Sequence, residues 1–126
     1  MITIPISVGE LIDKLSILQV KQTMISDQNK LEFINNEFEL LYNFSSVYLD
    51  DEQISKIYHQ LVDTNSALWM IEDELRIKEK NKLFDDNFIE LARKVYITND
   101  IRFSLKNKIN ELTNSEIREQ KDYVKY

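Results

Sequence analysis

From Glu10 to Tyr126 the chain contains neither glycine nor proline; Gly9 is its only glycine and Pro5 its only proline. A β-rich fold reverses direction through tight turns that favour those residues, and no Asn-Gly or Asp-Gly pair occurs anywhere. Helices need no such punctuation, so the chain is expected to be all-α. With 43% hydrophobic and 30% charged residues it has the composition of a globular protein rather than a disordered one. Its 126 residues suit one domain, with enough core to stand without disulfide or metal staples.

The longest helical pattern runs from Asp51 to Lys80. Ile54, Ile57, Leu61, Thr64, Leu68, Ile71 and Leu75 recur at spacings of three and four, one stripe of a helix. Uninterrupted, that helix is ~45 Å long at ~1.5 Å per residue, and it needs partners along its whole length.

The remainder supplies them. Ile2–Ile6 reads as a short extended lead-in, and residues 1–7 precede the first helix. Ser7 and Glu10 have the spacing of a capping box, which starts a helix at Val8 that runs to about Ile25. Its main apolar face is Val8, Leu11, Ile12, Leu15, Leu18 and Ile25; Ile17, Val20 and Met24 form a second patch roughly opposite. A helix apolar on two sides is either central or part of an oligomer contact. A second helix turns Leu31, Ile34, Phe38, Leu41 and Phe44 inward, and a connection from Ser45 to Asp51 follows, with Val47, Tyr48 and Leu49 tucked onto the bundle. Asp50 or Asp51 caps the long helix, and Asp85 or Asp86 caps a fourth, from about Asn87 to Leu112. The tail, 113–126, is either a short helix or an ordered arm. Short connections imply an antiparallel bundle of about four helices, two short and two long. The long pair outruns its cover, so a homodimer is expected.

Several functions are disfavoured. A net charge of −6, with basic residues scattered among acidic ones, argues against nucleic acid as a partner. Without cysteine there is no disulfide framework, thiolate metal site or cysteine nucleophile. No window approaches the ~20 apolar residues of a membrane span and no secretory leader is visible, which makes a cytoplasmic protein the default expectation. The single histidine, His59, has no partner spacing for a metal site, and no Glu-x-x-His pair suggests a di-iron bundle. Glu10 and Asp13 match half of a magnesium-binding carboxylate pattern, but no good second pair follows. One glycine cannot make a phosphate loop. No cofactor is expected.

What remains is a set of polar residues where the stripes should be apolar. Glu72 falls between Leu68 and Leu75, with Asn65 near the same line; Asn99 and Arg102 interrupt the fourth helix between Val95 and Leu105. Folding the two long helices back near Phe84 brings these to similar heights, with Asp13, Lys14, Asp100 and Arg76 able to join. Glu72 and Arg102 are expected to pair, because an unpaired buried charge is costly. Such a layer either fixes register, the reading preferred here, or lines a polar ligand pocket built from Asp13, Lys14, Glu72, Asn99, Asp100 and Arg102.

Three segments together carry a resemblance: Pro5–Leu18 (PISVGELIDKLSIL), Leu68–Arg76 (LWMIEDELR) and Phe88–Arg102 (FIELARKVYITNDIR), continuing to Asn110. The chain resembles, over nearly its whole length, a small bacterial and phage family classed only as a domain of unknown function. That resemblance implies a single all-helical domain, some of whose relatives are encoded near surface-polysaccharide synthesis genes. It implies no activity, cofactor or catalytic residue. The expected function is therefore a non-catalytic helical module for dimerisation and protein interaction, for which the resemblance implies an accessory role in surface-glycan synthesis. The alternative is a bundle that binds or acts on a phosphorylated or nucleotide-linked sugar.

Overall fold

The computed structural model describes all 126 residues. It contains four helices, α1 (Val8–Met24), α2 (Gln28–Leu49), α3 (Glu52–Lys80) and α4 (Asp86–Leu112), and no strand. Each starts on an oxygen-bearing side chain that accepts from an otherwise unpaired backbone N–H of the first turn: Ser7, Asp27, Asp51 and Asp85 in turn. The helices end without glycine. After α3 and α4 the chain takes the left-handed conformation at Lys82 (φ 55°) and Asn114 (φ 50°). Leu83 N–H then donates to Lys78 C=O and Ser115 N–H to Asn110 C=O, both at 2.9 Å, which closes each helix in a Schellman turn. These two turns were invisible in the sequence because neither carries the residue that usually marks them.

α1 and α3 each pack against the other three helices, whereas α2 and α4 do not touch. The core lies where α1 meets α3 and the end of α4. Ile12, Leu15, Leu61 and Ile109 have no exposed surface, and Ile54, Ile57 and Tyr58 close around them. Full burial of an aliphatic side chain contributes roughly 1.5–3 kcal/mol, so this knot anchors the fold. The C-terminal half of α2 reaches it through Phe38, Leu41, Tyr48 and Leu49.

Away from the knot the bundle opens. No residue of α3 after Asn65 is buried, and between Asp86 and Leu105 of α4 only Leu91 is. The two helices continue as an antiparallel arm, tied at its tip by Lys78 and Asp85, 3.1 Å apart. The total accessible surface is 9063 Å², against about 7100 Å² for a compact monomer of this mass.

Two expectations need correction, and of the two forms left open for the tail the ordered arm is the one present. The stretch Ser45–Leu49 is not a connection but the last turn of α2, which continues because nothing in it breaks a helix. Phe44 does not face the core; it is 63% exposed, and Val47 is 67% exposed rather than tucked in. Ser45 takes the inward position instead, fully buried, its hydroxyl donating to Leu41 C=O. The tail makes no helix beyond Leu112. It runs back beside α4, where Tyr126 donates to Asp100 at 2.6 Å and its ring meets Tyr96 edge-on.

Candidate functional site

Gly9 explains the approach of α1 to α4. A Cβ there would lie 2.4 Å from Lys106 C=O and 2.8 Å from Asn110 Oδ1, so only glycine lets the backbones come this close. Gly9 N–H donates to Asn110 Oδ1 at 2.7 Å and fixes the register. Beyond that contact polar side chains fill the space between the two helices.

Asp13, one helical turn on from Gly9, has no exposed surface. Arg102 grips it with both ends of one guanidinium edge, Nε to Oδ1 at 3.0 Å and Nη2 to Oδ2 at 2.6 Å. Asn65 of α3 donates to the same Oδ1 at 3.1 Å and to Ser16 Oγ at 2.9 Å. The Ser16 hydroxyl in turn donates to Asp13 C=O at 2.6 Å. Three helices thus meet on one carboxylate, and no buried side-chain polar atom lacks a partner. The hydrogen bond to Asp13 outweighs desolvation and holds the Arg102 guanidinium above its ordinary pKa.

Lys106 forms the adjoining cluster. Its ammonium sits 2.8 Å from Glu10 on α1 and 2.8 Å from Glu119 on the tail, with Asp13 at 4.0 Å. Burial lowers the Lys106 pKa, but the two carboxylates outweigh it and the net shift is upward. The same hydrogen bond holds Glu119 below the usual glutamate value. Glu10 therefore uses its side chain on Lys106, so only the Ser7 half of the expected capping box forms.

The expected Glu72–Arg102 pair is absent. Arg102 belongs to Asp13, while Glu72 is 3.6 Å from Arg76, one turn along its own helix, with both side chains substantially exposed. Asn99 touches the layer only through a 3.5 Å contact from Arg102 Nη1. Asp100 faces the tail and Lys14 faces solvent. The sequence reading missed Ser16, Lys106, Asn110 and Glu119. Gly9 was the available signal, since a lone glycine in a first helical turn marks a close approach.

Above the Asp13 layer lies an open cleft of about 400 Å³ between α1, α3 and α4. Ile17, Val20, Leu68 and Trp69 form its apolar part; Glu72, Asp73 and Arg76 line α3, and Asn99 and Arg102 line α4. No three His, Cys, Asp or Glu side chains are grouped to hold a metal ion, and no helix is long and apolar enough to cross a membrane.

A family model described as a family of unknown function (DUF6165) matches residues 2–125, and the chain belongs to that family. Neither the curated proteins nor the solved structures provide a match.

Proposed function

We propose that this member of a family of unknown function is a non-catalytic helical interaction module that works as an antiparallel homodimer through α2. The observation that carries the reading is a second apolar stripe on that helix. Phe33, Leu40, Phe44 and Val47 are all exposed, the first at 79%, while the core-facing stripe lies about a third of a turn away. Together with Glu37 they follow a four-three-four-three spacing, the seam of a coiled coil.

Charge favours a second copy in the opposite direction. Glu32, Glu37 and Glu39 all precede Leu40 on α2, and Leu40–Leu49 carries no charge. Parallel pairing would set each glutamate against its own copy; antiparallel pairing about Leu40 sets Glu32 and Glu37 against the neutral half. The buried Asp13 layer then serves as a register lock, every member satisfied within the chain. An accessory role in surface-glycan synthesis rests on the resemblance alone.

Light scattering on the eluting protein tests this reading: it predicts twice the chain mass of 15.1 kDa, falling to one chain mass in Phe44→Glu. A wild-type protein that stays at one chain mass at high concentration overturns it.

A further inference from the structure

The cleft above Asp13 has a polarity that the dimer reading does not use. On one wall, Arg102 commits Nε and Nη2 to Asp13 and keeps Nη1, whose only contact is the long one to Asn99. A guanidinium clamped from behind by a buried carboxylate is a fixed donor whose orientation needs no further ordering. Asn65 commits both amide hydrogens inward, so its carbonyl oxygen is the end left free at the cleft. On the α3 wall Glu72 and Asp73 are acceptors; the Glu72–Arg76 pair, at 3.6 Å and mostly in water, competes weakly. The strip between them is apolar.

Charge selects among ligands. Asp13 neutralises Arg102, so Glu72, Asp73 and Arg76 leave the cleft with one net negative charge. A phosphorylated ligand would bring two more negative charges into it, which weighs against phosphorylated or nucleotide-linked sugars. We propose that the cleft binds a small zwitterion of the amino-acid type. The carboxylate sits on Arg102 Nη1 and the Asn99 side chain, and the ammonium on Asn65 and the acidic α3 wall. An apolar side chain covers Leu68 and Trp69. The volume is within the range of small-molecule sites. The site lies on α1, α3 and α4, so it stands or falls independently of dimerisation through α2.

The test is an NMR titration of the full chain with L-leucine, L-leucinamide, N-acetyl-L-leucine, glucose and inorganic phosphate, following the Trp69 indole N–H and the Asn65 and Asn99 amides. The expected result is saturable shifts with L-leucine, weakened about tenfold when either ligand charge is removed. Glu72→Gln combined with Asp73→Asn should weaken L-leucine about tenfold while binding the anionic N-acetyl-L-leucine no more weakly than before; both positions are on the helix surface, and an unchanged melting curve confirms the fold. Equal binding of L-leucine and N-acetyl-L-leucine, preferential binding of glucose or phosphate, or no response of these residues to L-leucine overturns the proposal.

Discussion

Asp13, with no surface in contact with solvent, is held by Arg102 through two hydrogen bonds of 3.0 and 2.6 Å that join α1 to α4. This pair replaces the Glu72–Arg102 contact expected from helical periodicity. It sets the stability behaviour of the whole bundle, because the carboxylate has left water completely and the guanidinium only in part.

Removing one partner is therefore expected to be worse than removing both. Arg102→Ala leaves a buried carboxylate unpaired and should cost about 3–5 kcal/mol, whereas Asp13→Leu with Arg102→Leu should cost about 1–3 kcal/mol, for the Asn65 amide hydrogen left without its acceptor. Glu72→Ala, at an exposed pair, should change stability by less than ~1 kcal/mol. Urea denaturation of the wild type and these three variants reads the difference directly.

Gly9 is expected to resist even the smallest side chain. Gly9→Ala puts a methyl group against Lys106 C=O and disturbs the Gly9–Asn110 hydrogen bond, so α1 and α4 must separate. A loss of about 1–3 kcal/mol is expected despite alanine's better helix propensity, visible as a lowered melting temperature.

Lys82 and Asn114 predict the opposite sign. Each holds the left-handed conformation that closes a helix, at a cost of roughly 1 kcal/mol for a side chain with Cβ. Lys82→Gly should stabilise the protein by a few tenths to 1 kcal/mol, part of the relief being offset by the added freedom of the unfolded chain. Thermal unfolding at neutral pH checks it.

The tail's attachment to Lys106 should depend on pH at both extremes. Glu119 is depressed in the folded state, so its contribution is present above its ordinary value of 4.5 and is lost as pH falls through the lower folded value. Lys106 is raised, so its contribution is complete below its ordinary value of 10.5 and is lost as pH rises through the higher folded value. The tail should stay docked between those limits and loosen on acidification before the core unfolds. Amide exchange of residues 119–126 across pH 3–7 measures it, and Glu119→Gln should weaken the acid response.

Much of this fold could be read from the residues alone. Ser7, Asp51 and Asp85 announced helix starts because oxygen-bearing side chains satisfy first-turn N–H groups, and the stripe Ile54–Ile57–Leu61 located the core of α3. Periodicity gives the azimuth of a residue on its own helix but not the rotation of that helix against its neighbours. Hence Arg102 was placed in the interior with the wrong carboxylate: the α3 residue level with Asp13 is Asn65, and Glu72 lies two turns, ~10 Å, further along. Phe44 failed for a related reason: α2 carries two apolar stripes, and Phe44 lies nearer the outer one. Lys106 was passed over because lysine ordinarily marks a solvated face; here Glu10 and Glu119 compensate its burial.

The central claim is that α2 pairs with a second α2 running the other way, and single-cysteine cross-linking tests it most directly because the native chain has no cysteine. Leu40, near the proposed two-fold axis, should lie close to its own copy, whereas the two Phe33 positions should stand about 20 Å apart along the helices. With a short bis-maleimide reagent, Leu40→Cys is expected to give a covalent dimer and Phe33→Cys to remain a single chain. Efficient cross-linking of Phe33→Cys, or none at Leu40→Cys, would contradict the account.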